Sequence, residues 1–438
     1  MFAGNLQIAA CILLSGNSFA KIKLMFQFAN IANISQTTFY RMQNLYLAPT
    51  IDHFWKTLQA ELLSAYQGEK ALLSGDGRND SPGHSSQYLS YNVGDPEKKV
   101  IVHTEVVDVR EVNGKSPNME RLGFERSMDQ LQKNIVIDEM VTDAHSQIAA
   151  VMKKCDKFKG VKHSWDLWHG GKNIHKKVVK ASQNKKCRDL LPWASTIRNH
   201  FWYAAKESKG SERKMKAIWF GILHHVVNEH EWLLNIDGTY GKCAHSPLTE
   251  ENQQRPWIQK GSPAHVALKG IVEDKRFLRT FSYYVNFRHS GFVESFHSHL
   301  LMYAPKRHAY TYVANKARIQ LAAIDFNKHT NRKQALDKDG KPRFEVKYSK
   351  QSKRFYPTAK LEPKKYEYIG ELQRQIFQSR QNDYGHMSWH VSLDENDPRR
   401  IHSTRHLVTR PSLSQVTAQY QSRFATSQSH ELTGSSNQ

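Results

Sequence analysis

The stretch from Lys70 to about Ala181 constrains the fold most, because its apolar residues change period in a fixed order. KALLSGDGRND reads as a strand ending in a Gly-flanked Asp. QYLSYNV and VIVHTEVVDVREV then alternate apolar and polar residues, as antiparallel partners do. The turns between them are SPGHSS and the segment from Gly94 to Lys99. Ser116-Pro117 opens a helix to about Lys133, with Pro in its first turn. IVIDEMVTDAH is a fourth strand, a short helix starts at Ser146, VKHSWD is a fifth strand, and LWHGGKNIHKKVVKA is a helix with a Gly-Gly flaw near its start. Three antiparallel strands, a helix, a strand, a helix and a strand predict one five-stranded mixed sheet with helices on its faces.

The flanks are helical. Residues 1–66 carry helix caps at Ser18 and Ser35 and an amphipathic stripe of Ile51, Phe54, Trp55, Leu58 and Leu62. The pair capped by Ser18 and Ser35 reads either as a helix-turn-helix, with Gln36, Thr37, Thr38 and Arg41 facing bases, or as a helical hairpin packed on the next domain. Residues 185–285 read as an all-helical insertion. Its tryptophans (Trp193, Trp202, Trp219, Trp232, Trp257) fit packing better than base stacking. Residues 286–330 return to the core with a helix from near Ser290, striped by Phe292, Val293, Phe296, Leu300 and Tyr303, and a further helix from about Tyr312 to Lys328. Residues 331–438 turn basic and then Ser/Gln/Thr-rich, and read as a disordered tail.

Charge selects the partner. The 438 residues hold 63 Lys and Arg against 41 Asp and Glu, a net charge of +22. Such a surplus repels itself unless a polyanion is near, so nucleic acid is the expected partner. There is no basic amphipathic helix suited to a membrane surface and no apolar run long enough to span a bilayer. The first 20 residues mimic a signal peptide, but they lack a Lys or Arg before the apolar stretch and the helical pattern runs on. The four cysteines are too scattered for a disulfide framework. Cys187, Cys243 and His245 could suggest zinc. Cys243-Ala-His245 is tight for a standard pair and no fourth ligand is evident, so zinc is not expected.

Two-metal phosphodiester chemistry needs carboxylates from separate elements meeting at one point. Asp76 ends the first strand, where Gly75 and Gly77 would leave room for a phosphate. Asp143 ends the fourth, a neighbour of the first in a sheet of this order. Glu294 lies on the late helix, one position off its buried stripe. Singly, an Asp at a strand end is usually a turn or cap residue, and a Glu on an amphipathic helix is usually solvated. The conjunction carries the reading.

GDGRNDSPGHS, the VTDAH strand end, HSWDLWHGGKN and FRHSGFVESFHSHLLMYAPKR resemble the catalytic blocks of eukaryotic DDE transposases, most closely the Kolobok type. The resemblance covers about residues 1 to 330. It implies a ribonuclease-H-like fold, catalytic acids at Asp76, Asp143 and Glu294, two Mg²⁺ or Mn²⁺ ions, and cleavage followed by strand transfer on double-stranded DNA by a homo-oligomer. A D-x-x-H element of related transposases falls on Asp166 and His169, in a supporting role or as a buried hydrogen-bonded pair. Arg78, Arg288, His289, His297 and Arg41 are candidates for DNA contact. Members of the family often carry an upstream zinc-dependent DNA-binding module. No such Cys/His pattern precedes the helical block here, so a fragment, a truncated copy or a domesticated DNA-binding derivative without activity stands beside the active enzyme. A nuclease on the same fold is the third reading.

Overall fold

The computed structural model describes residues 3–82, 85–233, 238, 241–246, 248, 255–350, 352–384, 397–401 and 411–420. Gly83 and His84 of the expected turn, and most of the Ser/Gln/Thr-rich end, lie outside the described residues. The chain divides into two compact units, Met1–Val391 and Ser392–Gln438.

The first unit opens with four helices: α1 (Ala3–Leu14), α2 (Phe19–Phe28), α3 (Gln36–Met42) and α4 (Ala48–Ser64). Ser18 and Ser35 cap α2 and α3 as expected, accepting from Lys21 N and Thr38 N. A π-helical turn, Gln43–Leu47, joins α3 to α4 without a break in the rod.

Five strands follow: β1 (Lys70–Asn79), β2 (Tyr88–Asp95), β3 (Val100–Asp108), β4 (Val136–Thr142) and β5 (Lys162–Trp165). Their order is β3-β2-β1-β4-β5. β1–β2 and β2–β3 are antiparallel, and β1–β4 and β4–β5 parallel. The two crossovers run through α5 (Pro117–Leu131) and α6 (Ser146–Lys154). The mixed five-stranded sheet is thus the one that the alternating sequence pattern predicts.

Each face of the sheet has its own core. Leu89, Tyr91 and Val93 of β2 meet Phe124 and Met128 of α5 on one side. On the other, Tyr88, Ile101 and Val106 meet α13 (Gly291–Leu300) and α14 (Tyr312–Thr330), and α1, α3 and α4 pack into that same core. The buried Arg318 guanidinium fastens the layers, donating to the carbonyls of Gly16, Asn17 and Tyr303.

The insertion starts from α7 (Leu167–Ser182) and contains α8 (Ala194–Ser208), α9 (Glu212–Phe220), α10 (Ile222–His225), α11 (Pro263–Val272) and α12 (Lys275–Leu278). It is not wholly helical: β6 (Glu231–Trp232) and β7 (Gly241–Lys242) form a small antiparallel hairpin. Trp193 and Trp219 are buried in its core, their indole N–H groups held by the carbonyls of Pro256 and Val272. The Gly-Gly of α7 is a packing requirement. A Cβ on Gly170 would lie 2.8 Å from the Tyr284 ring, and one on Gly171 2.5 Å from Trp202 Nε1.

Residues 331–384 correct the expectation of a disordered tail. β8 (Phe344–Ser349) pairs with β9 (Arg354–Ala359), and α15 (Glu367–Asn382) buries Tyr368, Leu372 and Ile376 in the α1–α4 core. Those three recur every fourth residue, so one stripe faces inward although the segment as a whole is basic. In the second unit, α16 (Leu413–Ala418) begins with a capping box formed by Ser412 and Gln415.

Candidate functional site

β1 and β4 pair in parallel only as far as Ser74↔Val141. Two residues further along each strand stand Asp76 and Asp143. β1 continues to Asn79 alongside β2, so Asp76 sits within the strand and not at its end. The two acids flank the point where backbone pairing between β1 and β4 stops.

α13 crosses above this point and carries Glu294 and His297 one turn apart, on the same face. His297 Nδ1 lies 3.3 Å from Asp76 Oδ2. Its Nε2 is 2.9 Å from the amide nitrogen of buried Asn92, the residue opposite Asp76 on β2. Asn92 donates, so His297 keeps its proton on Nδ1 and aims it at Asp76. His297, a candidate for DNA contact, is therefore committed to orienting a carboxylate.

His169 performs the matching task for the other acids. Its Nδ1 is 3.2 Å from Asp143 Oδ1 and 3.3 Å from Asp166 Oδ1, and its Nε2 is 3.9 Å from Glu294 Oε1. The carboxylates of Asp143 and Asp166 push the imidazole up to about 10, so His169 is a cation at neutral pH.

Asp166 is buried and joins two helix starts. Oδ1 caps α7 through His169 N at 2.8 Å, while Oδ2 accepts from Ser290 N at 2.6 Å and Ser290 Oγ at 2.9 Å, just ahead of α13. Burial alone would raise its carboxyl, but the hydrogen bonds from His169 and Ser290 prevail and hold it at about 2. Of the two readings of the D-x-x-H element, Asp166 fits the buried hydrogen-bonded brace. His169 reaches the acids themselves.

A fourth carboxylate belongs to the cluster and was not legible in the sequence. Glu120, in the first turn of α5, is pushed up to about 8 by burial and then by the charges of Asp76 and Asp143. It approaches from the opposite face, with its Cγ 2.8 Å from where a Cβ on Gly77 would stand. Gly75 is likewise hemmed in, by Met140 Cε at 2.5 Å and the Tyr91 hydroxyl at 2.6 Å. The two glycines therefore admit Glu120, Met140 and Tyr91 on their Cβ sides, while Gly77 also lines the open cavity beside Asp76.

Glu294 is raised by burial and by Asp166, Asp76 and Asp143, with His169 opposing. The three expected acids thus sense one another in one field. Asp143 Oδ1 is buried and faces His169 Nδ1 at 3.2 Å. Carboxylate oxygens from three separate elements are the donor set that Mg²⁺ and Mn²⁺ prefer.

The expected cationic contacts fare differently. Arg78 is buried and donates from Nη2 to the Ala304 carbonyl at 2.8 Å, and it also lines the cavity beside Asp76. Arg288 places Nε and Nη2 on Glu139 Oε2, at 3.0 and 2.8 Å, and serves as the counter-ion of that buried acid. The His289 ring packs near Trp202 and Phe287. Arg41 is exposed on α3, as are Gln36 and Thr37, but the Thr38 hydroxyl is bonded to the Ser35 cap.

Two other features flank the acids. A cavity of about 370 Å³ beside Asp76 is lined by Gly77, Arg78 and Asn79 of β1 and by His297, Ser298, Leu301 and Lys306. Along α7, exposed Trp168, Lys172, Lys176 and Lys180 recur every fourth residue and form one stripe leading away from His169. Lys172 Nζ sits 4.5 Å from the centre of the Trp168 ring.

No family model matches the chain, and no curated protein matches it. No helix among the described residues is long and apolar enough to cross a membrane.

Proposed function

We propose that this chain is a metal-dependent DNA strand-cleaving and strand-transfer enzyme of the DDE transposase type, on a ribonuclease-H-like fold, with Asp76, Asp143 and Glu294 as its metal-holding acids. The observation that carries the reading is the convergence of those three carboxylates from β1, the end of β4 and α13 around the rings of His169 and His297. The strand order β3-β2-β1-β4-β5 with its two parallel pairings agrees with a ribonuclease-H-like sheet. The blocks resembling Kolobok-type transposases contain all three acids.

Two Mg²⁺ or Mn²⁺ ions held there would supply a Lewis acid and an activated water for cutting a phosphodiester, and then for aligning the freed 3′-OH. The chain's own residues do the positioning. His297 orients Asp76, cationic His169 balances Asp143 and Glu294, and Asp166 sets the starts of α7 and α13. Glu120 adds a fourth acid beneath the pair.

DNA is the substrate class that the charge favours. The α7 stripe offers a phosphate-tracking surface that begins at the acids, with Trp168 available for stacking on an unpaired base. Lys306, missed in the sequence, lines the cavity beside Asp76 together with Arg78 and is the more exposed of the two for phosphate contact. Action in the nucleus, as a homo-oligomer on DNA ends, belongs to the same proposal.

The test is Mn²⁺-dependent nicking of supercoiled DNA by the full chain. Wild type should nick, whereas Asp76→Ala and Glu294→Ala should lose at least 100-fold in rate while binding DNA nearly as well; unchanged nicking by either variant removes that residue from the mechanism. Binding without any nicking by wild type would favour the inactive DNA-binding derivative. Joining of a 3′-OH oligonucleotide to target DNA separates a transposase from a nuclease.

A further inference from the structure

We propose that the insertion holds one structural Zn²⁺ ion, ligated by His225, His230, Cys243 and His245. The ligand atoms of these four side chains all lie within 4.8 Å of one another. The β6–β7 hairpin creates the arrangement. It pairs Glu231 with Lys242 and Trp232 with Gly241, and one bond beyond the strands Cys243 N donates to the His230 carbonyl at 2.9 Å. His230 and Cys243 therefore stand opposite each other at the open end of the hairpin. His245 follows two residues later, and His225, the last residue of α10, closes the group from behind.

The separations suit a tetrahedral ion. His245 Nε2 is 3.2 Å from His230 Nδ1, and His225 Nδ1 is 3.4 Å from Cys243 Sγ. Zinc with its usual bond lengths sets an N–N edge of roughly 3.3 Å and an N–S edge of roughly 3.6 Å.

Proton placement gives a second, independent reason. His230 Nε2 donates outward to Asn228 Oδ1 at 3.0 Å, and His245 Nδ1 donates outward to the Ser246 carbonyl at 2.7 Å. A neutral imidazole carries one proton, so the nitrogens left facing each other at 3.2 Å are both lone pairs. Two lone pairs at that distance repel unless a cation lies between them. The outward bonds to an amide and a carbonyl are those that orient metal-binding histidines.

Three imidazoles and one thiolate form a closed four-coordinate set, which marks zinc in a structural role and leaves no open position for catalysis. The Trp193 and Trp257 rings pack against His225, each with its centroid 5.9 Å away. Cys187 takes no part: it is buried, with its thiol 3.5 Å from the Pro263 carbonyl. The sequence shows Cys243 and His245 together, but His225 and His230 precede the hairpin and join them only through its pairing. The bound ion would pin the hairpin to the end of α10.

The experiment uses the full chain expressed with added zinc, and it does not depend on any reading of the acid cluster. Elemental analysis after gel filtration should find one zinc per chain. The cobalt-exchanged protein should show a thiolate-to-cobalt charge-transfer band and the strong visible absorption of tetrahedral cobalt. Cys243→Ala and His230→Ala should reduce the zinc content to background, while Asp76→Ala should retain it. Wild type that carries no zinc and gives no cobalt–thiolate band overturns the proposal, as does full zinc in Cys243→Ala. If the ligand variants do not fold, the wild-type cobalt spectrum decides alone.

Discussion

At the scale of single residues, His169 and His297 divide the work of holding three acids. His297 presents one nitrogen to Asp76 and His169 faces Asp143 and Glu294 with its two, and each ring is itself positioned, His169 by Asp166 and His297 by Asn92. His169→Ala should leave Asp143 and Glu294 repelling each other and raise the Mn²⁺ concentration needed for half-maximal nicking by about 10- to 100-fold, as loss of an orienting partner commonly does. A metal titration of nicking measures it, and an unchanged midpoint would show that the ring is dispensable to the acids. Arg78 teaches the complementary lesson: a basic residue two positions from Asp76 looks free for a phosphate, yet part of its guanidinium is spent on the Ala304 carbonyl. Charge is legible in a sequence, but its partner on another element is not.

At the scale of elements, α13, α14 and α15 meet on one buried carboxylate. Asp325 on α14 has His299 Nε2 and His329 Nδ1 at 3.0 Å and Lys364 Nζ at 3.3 Å, and it accepts the hydroxyl of Tyr368 on α15. Asp325→Ala would leave those groups unpaired and should cost about 3–5 kcal/mol in denaturant melts. Burial works to raise the Asp325 carboxyl, but His299, Tyr368 and Lys364 prevail and hold it well below the ordinary value of 3.8. A depressed folded value stabilises the fold at pH above 3.8, and that contribution drains away as the pH falls further. Wild type should therefore lose stability on acidification below about pH 4, and Asp325→Asn should show a flatter pH profile there.

The same scale explains what could be read beforehand. The five strands were legible because short apolar or alternating runs are bounded by turn residues, and the three acids because Asp76 and Asp143 follow such runs and Glu294 lies beside a stripe, although Asp76 proves to sit within its strand. Glu120 was not, since an acid in the first turn of a helix ordinarily serves the helix dipole. Only the close approach of α5 to Gly77 reveals its other neighbours. α15 was hidden by the basic, polar segment that precedes it, and the His/Cys cluster by a hairpin of two-residue strands.

At the scale of the whole molecule, the surplus of positive charge makes salt the natural probe. If the α7 stripe follows a DNA backbone, exchanging Lys172, Lys176 and Lys180 for Ala should reduce the slope of log affinity against log salt by about 2 to 3, near 0.9 per lost phosphate contact. Non-specific duplex binding, titrated at several salt concentrations, measures it. An unaltered slope would mean that the DNA lies elsewhere.

The burial of Arg318 has a mechanical consequence. Because its guanidinium grips Gly16 and Asn17 while its own helix packs with α13, the opening helices are bolted to the layer that carries Glu294 and cannot swing on a tether. Whatever touches the outward side of α3 thus meets the acid cluster at a set span, as one jaw of a caliper meets the other.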